Sequence, residues 1–274
     1  MNRPLVMGIV NVTPDSFSDG GKFFSPPAAA AHGRMLITQG ADVLDVGGES
    51  TRPHGATPVT VEEELRRVLP VIDALRESNP ETPISVDSVK SAVAREVLAH
   101  GAQAINDVSA FRLDAGMAAL CAEAECGVIL MHSRGDVSTM GTYEHASYGG
   151  DVVGEIIGEL EVRLRAALAA GVVRERIAID PGVGFAKRSE HSLAVMRELP
   201  RLAALGYPLA IGVSRKRFVG ELSGATDPAN RLDGTTAANV LALAAGARIF
   251  RVHDVEHARR ALDTAWGILG GGDS

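Results

Sequence analysis

One pattern recurs along the chain. A short apolar segment ends in polar residues, a helical pattern follows, and a glycine ends it before the next apolar segment begins. Gly40, Gly101 and Gly246 each stand at such an end. Glycine at a helix C-terminus is typical of the left-handed conformation that closes the last turn. Short apolar runs are typical of parallel strands covered by helices. The pattern therefore predicts a parallel sheet in which a helix follows each strand.

The pattern occurs eight times, which predicts the fold class. The predicted strands are residues 5–11, 43–47, 83–87, 104–108, 127–132, 177–181, 208–214 and 248–253. Since no linker rich in proline or serine interrupts them, residues 1–274 are predicted to form one domain. Eight strand–helix units over about 250 residues are typical of an α/β fold of the single (β/α)8 TIM barrel type. A doubly wound open sheet is the alternative, but Asn11-Val12-Thr13-Pro14 lacks the glycine-rich turn that usually follows its first strand.

Several helix starts are readable. Ser25 precedes Pro26, and Asp227 precedes Pro228, which is the arrangement of a capping residue followed by proline. Thr60-Val61-Glu62-Glu63 has the form of a capping box. Asp114 and Asp254 are predicted to cap the helices that follow them.

Composition excludes several classes of protein. Apolar residues make up 46% of the chain, the net charge is −7, and two cysteines cannot form a disulfide framework. The acidity argues against nucleic acid and anionic membrane as partners. Since the sequence has neither the long apolar run of a membrane span nor the features of a signal peptide, we expect a cytoplasmic protein.

Polar residues collect where the predicted strands end. In a TIM barrel these ends form the active face. The residues are Asn11, Thr13, Asp15, Ser16 and Asp19 after the first strand; 47–53 after the second; Asp87; Asn106 and Asp107; Met131 and His132; 180–187; 214–218; and Arg251 and His253. A polar loop alone is unremarkable, but Asp87, Asn106, Asp180 and Arg251 lie within or at the tip of apolar strands. Buried charges there need partners, which predicts a polar ligand. Asp45 and Asp107 fit either this role or a structural one, in which they would bind backbone amides.

The charge pattern predicts an anionic ligand. Although the chain is acidic overall, six arginine and lysine residues and one histidine fall at the predicted active face. They are Arg52, Lys187, Arg215, Lys216, Arg217, Arg251 and His253. TIM barrels often bind phosphate after strands 7 and 8. Asn11 offers a neutral oxygen suited to a Mg²⁺ ion that also contacts phosphate oxygens. A zinc hydrolase is not supported, because the eight histidines are scattered without a metal-binding motif. A Gly-x-Ser-x-Gly serine hydrolase motif is absent too.

These residues resemble the dihydropteroate synthase family from residue 5 to about 265. The motifs that carry the resemblance are Met7 to Gly21, Asp45 to Pro53, Ser85-Val86-Asp87, Asn106-Asp107-Val108, Asp180 to Phe185, Ser214-Arg215-Lys216 and Arg251-Val252-His253. The resemblance implies a transferase of folate biosynthesis. It would join 6-hydroxymethyl-7,8-dihydropterin diphosphate to 4-aminobenzoate and release diphosphate. It also implies Mg²⁺ as cofactor, sulfonamides as competitive ligands and a homodimer formed through outer helices near the C-terminus.

The resemblance also implies a role for each site residue. The catalytic set would be Asp87, Asp180, Lys216, Arg251 and His253. Pterin diphosphate would contact Thr51, Asp87, Asn106, Met131, Asp180, Phe185, Lys216, Arg251 and His253. The aminobenzoate site would comprise Phe17, Thr51, Arg52, Pro53 and Ser214, and Asn11 would bind the metal. The alternatives are a catalytically silent pterin-binding paralogue and a methyltetrahydrofolate methyltransferase domain.

Two positions depart from the family pattern. His54 lengthens the usual Ser-Thr-Arg-Pro-Gly-Ala segment by one residue, and Ala186 replaces a glycine. The first departure lies beside the residues implied for aminobenzoate, so we expect any consequence on that side of the site and not on the pterin side.

Overall fold

The computed structural model describes residues 3–13, 25–50 and 58–271. Within these ranges eight parallel strands form one sheet in the order β6-β5-β4-β3-β2-β1-β8-β7. They are β1 (Leu5–Asn11), β2 (Val43–Gly47), β3 (Ile84–Asp87), β4 (Ala104–Asp107), β5 (Gly127–Met131), β6 (Ile177–Asp180), β7 (Ala210–Ile211) and β8 (Ile249–Val252). A parallel bridge between Ile179 and Leu209 brings the two outer strands together. The predicted TIM barrel is confirmed.

Helices surround the sheet, and the described ranges contain ten of them. They are α1 (Pro26–Thr38), α2 (Val61–Ser78), α3 (Ser91–Ala99), α4 (Met117–Glu123), α5 (Val152–Ala169), α6 (Ser189–Arg197), α7 (Leu199–Ala203), α8 (Arg217–Ser223), α9 (Leu232–Ala244) and α10 (Val255–Ile268). The units after β6 and β7 each contain two helices, α6 with α7 and α8 with α9. None of the helices in these ranges combines the length and apolarity needed to cross a bilayer.

Side chains point alternately outward and inward along the strands, which divides the core into two regions. Outward-facing residues such as Val6, Leu44 and Val86 pack against the helices. Inward-facing residues such as Met7 and Ile249 fill the barrel with apolar side chains at its N-terminal end. Because side chains alternate with period two, the next inward positions on the same strands point toward the barrel mouth. The polar residues predicted at the strand ends occupy these positions.

The predicted chain reversals are largely confirmed. Gly40, Gly101 and Gly246 have φ values of 99°, 94° and 106°, the left-handed conformation expected at helix ends. Ser25 caps α1 by accepting a hydrogen bond from Ala28 N, and Thr60 caps α2 by accepting one from Glu63 N. These contacts set the directions in which both helices leave the barrel mouth.

Candidate active site

A cavity of about 520 Å³ lies at the C-terminal end of the barrel. Every residue that the sequence predicted for the site and that the structure describes lines this cavity: Asn11, Asp87, Asn106, Met131, Asp180, Phe185, Ser214, Lys216, Arg251 and His253. The other four predicted residues, Phe17, Thr51, Arg52 and Pro53, lie outside the described residues, as does His54. The eight strands thus bring together residues that are up to 242 positions apart, from Asn11 to His253.

Asp45 organises one wall of the cavity. Its Oδ2 atom accepts a hydrogen bond of 2.6 Å from Arg251 Nε and one of 3.1 Å from Asn106 Nδ2. The Asp45 side chain is fully buried. Of the two roles open for this residue, the contacts favour the site, because it orients one residue of β8 and one of β4. Asp107 instead binds the amides of Ser109 and Phe111, which is a structural role.

Two carboxylates share one guanidinium in this wall. Arg251 Nη2 lies 3.0 Å from Asp87 Oδ2, while its Nε atom contacts Asp45. Burial raises the pKa of Asp87 to about 7, the Arg251 charge opposes that rise, and the Asp45 charge adds to it. Although burial acts in the opposite direction, the two carboxylates raise the pKa of Arg251. Asp87 is therefore a carboxyl group that can change its charge near neutral pH.

The opposite wall is built by the loop after β6. Asp180 Oδ1 accepts a 2.7 Å hydrogen bond from Gly182 N, and Lys216 Nζ donates to Val183 O. The same ammonium group lies 4.6 Å from the centre of the Phe185 ring. Burial raises the pKa of Asp180, which the Lys216 charge opposes, and burial lowers the pKa of Lys216 to about 8. The cavity thus has a carboxylate and an ammonium group on the same side.

Gly182 is required by the path of this loop. Its φ is 65°, and a Cβ atom added there would lie 1.9 Å from the carbonyl oxygen of His132. Any side chain would therefore push the loop away from β5. The glycine allows the turn to bring Phe185 over the cavity while Asp180 remains at the strand end.

Lys187 differs from the charge-based prediction. Its side chain is 1% exposed, and its Nζ atom lies 2.8 Å from His132 Nδ1 and 3.1 Å from Phe185 O. His132 Nε2 in turn lies 3.0 Å from Glu159 Oε2. Burial lowers the pKa of Lys187 well below its ordinary value and that of His132 to about 4. Lys187 lines the cavity as predicted, but its ammonium group is held by His132 and Phe185 O, so it supports the loop after β6 and is a weak source of positive charge.

Basic residues after β7 and β8 also divide into two groups. Arg215 Nε and Nη2 contact Asp254 at 3.0 and 2.7 Å, so its charge is paired at the rim. His253 N donates a 3.2 Å hydrogen bond to Ser214 Oγ, and the His253 ring nitrogen Nδ1 lies 3.0 Å from the same hydroxyl. Together with Arg251, this pair places cationic and hydrogen-bonding groups at the end of the cavity formed by β7, β8 and β1.

The metal prediction concerns Asn11. Among residues 3–13, 25–50 and 58–271, the structure contains no cluster of three His, Cys, Asp or Glu side chains suited to a metal ion. A Cβ atom at Gly47 would lie 3.9 Å from Asn11 Oδ1 and 4.0 Å from Asp87 Oδ2, so this glycine leaves the space between the two side chains open. One neutral oxygen beside open space fits a Mg²⁺ ion that takes most of its ligands from water and phosphate.

Comparisons with known proteins agree with this geometry. Residues 7–253 match the family model described as "Pterin binding enzyme". A dihydropteroate synthase of Neisseria meningitidis serogroup C is 45% identical over 273 residues, which is 98% of this chain and 94% of the relative. The structure of Xanthomonas albilineans dihydropteroate synthase with 4-aminobenzoic acid is 48% identical, has a TM-score of 0.89 and is matched over 98% of this chain and 93% of that one. The Yersinia pestis dihydropteroate synthase, solved with a sulfonamide drug complex, is 38% identical, with a TM-score of 0.91 and coverages of 98% and 95%.

Proposed function

The chain belongs to the family of pterin binding enzymes, and on this basis we propose that it is a transferase that makes 7,8-dihydropteroate. It condenses 6-hydroxymethyl-7,8-dihydropterin diphosphate with 4-aminobenzoate. The carbon–oxygen bond between the pterin methylene and diphosphate breaks, and a bond from that carbon to the arylamine nitrogen forms. Diphosphate leaves, and the amine nitrogen gives up a proton to solvent.

The observation that carries this proposal is the distribution of charge in one cavity. Asp87, Asn106 and Asp180 offer acceptors and an amide group that complement the hydrogen-bonding edge of a pterin. Lys216 donates toward the pterin carbonyl, while Met131 and Phe185 provide apolar contact for the ring. Arg251, which contacts Asp87, and His253, two residues further along the chain, complement a diphosphate group.

Charge separation in the transition state explains the mechanism. Positive charge develops on the pterin methylene, where the carboxylates of Asp87 and Asp180 stabilise it. Negative charge develops on the leaving group, where Arg251 and His253 stabilise it. The arylamine is neutral at pH 7 and needs placement more than deprotonation, so the mechanism uses no dedicated general base. Asp45 contributes by holding Arg251 and Asn106 in place.

The remaining substrate and metal roles belong to the same proposal. Asn11 would hold Mg²⁺ near the diphosphate, where the ion would neutralise charge on the leaving group. Ser214 lies where the aminobenzoate site would meet the anion site, and the sequence motifs add Phe17, Thr51, Arg52 and Pro53 to that site. The motifs also assign Thr51 a contact with the pterin diphosphate. Sulfonamides compete for the aminobenzoate position, and we place the reaction in the cytoplasm.

One assay tests the proposed activity. The purified protein should release diphosphate from the pterin substrate only when 4-aminobenzoate is present. No release at all would contradict the proposal and favour a silent pterin-binding paralogue. Equal release without 4-aminobenzoate would contradict it too, because water would then be the acceptor. Asn11→Ala should lower turnover about 10²–10³-fold and alter the Mg²⁺ dependence, since it removes a contact to the ion at the diphosphate. Asn79→Ala, at the far end of α2, is the matched control and should behave as wild type.

A further inference from the structure

The two ends of the loop between β2 and α2 are joined by one carboxylate. Glu49 Oε1 accepts a 2.8 Å hydrogen bond from Val59 N, ten residues further along the chain. Glu49 Oε2 lies 3.0 Å from Lys90 Nζ, and only 6% of the Glu49 side chain is exposed. Both oxygens of the carboxylate therefore have partners within the protein, although the residue lies at the edge of the cavity.

Lys90 connects this carboxylate to a second, fully buried one. Its Nζ atom lies 2.6 Å from Oε2 of Glu64, in the first turn of α2. Burial raises the pKa of Glu64, which the Lys90 charge opposes. Although burial alone would lower it, the two carboxylates raise the pKa of Lys90, so its ammonium group is held in the charged form. The Lys90 ammonium group, in the loop after β3, thus links the end of β2 to the first turn of α2.

Close packing fixes the same region. A Cβ atom at Gly48 would lie 2.8 Å from Val68 Cγ1 and 3.1 Å from Glu64 Cγ, so α2 packs directly on the backbone that follows β2. Arg67 Nη1 also donates a 2.8 Å hydrogen bond to Gly48 O. Moving either end of the loop would break a buried ion pair or separate this backbone from the helix, and both changes are costly.

We propose that Glu49, Lys90 and Glu64 form a positioning triad for the loop that contributes to the 4-aminobenzoate site. The inference rests on the proposed function, because residues 51–57 between the joined ends include Thr51, Arg52 and Pro53. Glu49 is a positioning residue and not a catalytic one, since both its oxygens are engaged by Val59 and Lys90. Lys90 does not line the cavity, so any effect it has on the reaction is transmitted through the loop ends.

Two single variants test the triad. Glu49→Gln keeps an oxygen for Val59 N but loses the charge paired with Lys90. Lys90→Met removes the cation without touching the cavity wall. Because a displacement of about 1 Å can cost about 10²-fold in rate, each should lower kcat/KM for 4-aminobenzoate roughly 10- to 100-fold. The Kd for pterin diphosphate, measured without the second substrate, should rise by much less than kcat/KM falls, because Thr51 is the one residue of this loop among the proposed pterin diphosphate contacts.

Lys90→Met leaves two buried carboxylates without their cation and could therefore prevent folding. A third variant keeps the proposal testable in that case. Lys90→Met/Glu64→Gln removes one of those charges. It should restore thermal stability toward wild type, while kcat/KM for 4-aminobenzoate stays low. Glu161→Gln and Arg165→Met on the exposed face of α5 are matched controls for the same chemical changes, and both should leave both substrates unaffected.

The outcomes separate the triad from the proposed function. Unchanged kcat/KM for 4-aminobenzoate in Glu49→Gln and in a folded Lys90 variant would overturn the inference. So would a rise in the pterin diphosphate Kd as large as the loss in kcat/KM, because that result would indicate a general structural role. A wild-type protein that releases no diphosphate would contradict the proposed function instead.

Discussion

Asp45 and Asp87 share the single guanidinium of Arg251, and this determines how the proposed pterin site responds to pH. Arg251 contacts Asp45 at 2.6 Å and Asp87 at 3.0 Å, so Asp87 has the longer contact. Burial raises the pKa of Asp87 to about 7, while burial lowers the pKa of Lys216 to about 8. The proposed pterin contacts need Asp87 ionised, to accept hydrogen bonds, and Lys216 protonated, to donate one.

We therefore predict a bell-shaped pH dependence of pterin diphosphate affinity. Affinity rises as pH increases through about 7, because Asp87 loses its proton, and falls above about 8, because Lys216 loses its own. Isothermal calorimetry from pH 5.5 to 9.5 measures it. Asp87→Asn should remove the acidic limb, and Lys216→Arg should remove the alkaline limb, since arginine stays charged. A profile that both variants leave unchanged would contradict the assignment.

Asp180 is predicted to serve recognition more than folding. Asp180→Asn keeps an oxygen that can accept from Gly182 N, so its melting temperature should stay close to wild type. The variant loses the negative charge near Lys216 and the second oxygen that could accept a hydrogen bond from pterin. We expect pterin affinity to fall about 10- to 100-fold, or roughly 1–3 kcal/mol. Calorimetry and thermal melting distinguish the roles, and normal affinity with a collapsed melting temperature would make the residue structural.

Individual residues also show what the sequence can reveal about a site. Asn11, Asp87, Asn106, Asp180 and Arg251 were predicted because a polar residue in an apolar strand is visible locally. The role of Asp45 stayed open because its partner Arg251 is 206 positions away. Lys187 was counted as a cation because burial, which lowers its pKa, depends on the folded chain. Residue type and strand periodicity therefore locate a site, but partners and charge states come from tertiary contacts.

At the scale of secondary structure, the predicted strands and glycine stops agree with the structure, but two of the predicted side-chain caps do not form. Asp114 was expected to cap the helix that follows it. Its Oδ2 atom accepts a 2.7 Å hydrogen bond from Ser91 N at the start of α3 and its Oδ1 atom one of 2.8 Å from Gly116 N, while Gly116 is the capping residue of α4. A nearby orphan amide from another helix competes for the same carboxylate, and the local sequence does not show it. Asp254 does stand at the cap of α10, yet its carboxylate binds Arg215.

Two glycine-to-alanine substitutions are predicted to change the stability of the protein in opposite directions. Gly182→Ala should reduce stability by about 3 kcal/mol or more, because its φ is 65° and the new Cβ would overlap His132 O. It should also weaken pterin binding by moving the loop that carries Phe185. Gly158→Ala in α5 meets no atom within 4 Å and should raise stability by about 0.5–1 kcal/mol without affecting activity. Urea unfolding measures both, and equal effects would contradict the argument.

For the whole molecule, the overall charge is negative while several cationic groups gather in the cavity. The chain carries a net charge of −7, yet the proposed diphosphate end of the cavity holds Arg251 and His253 beside Lys216. Cationic groups gathered at one place on an acidic protein attract an anionic substrate there, and salt weakens that attraction.

The outer helices α9 and α10 carry the features expected of the proposed homodimer interface. Leu241 and Ile268 are 68% and 81% exposed, and a groove of about 430 Å³ lies between the helices beside Val240 and Ala261. Exposed apolar patches of this kind mark association surfaces. Sedimentation of the wild type should therefore give about twice the chain mass of 28.6 kDa.

Leu241→Asp/Ile268→Asp is predicted to convert this dimer into a monomer, because two buried charges would face their copies across the interface. Val162→Asp on α5, where the native side chain is 44% exposed, is the matched control and should stay dimeric. Since the cavity opens at the C-terminal ends of the strands and not on the outer faces of α9 and α10, the monomer should retain turnover close to wild type. A monomeric wild type at tens of micromolar would refute the interface, and a monomeric variant that lost activity would show that assembly supports the site.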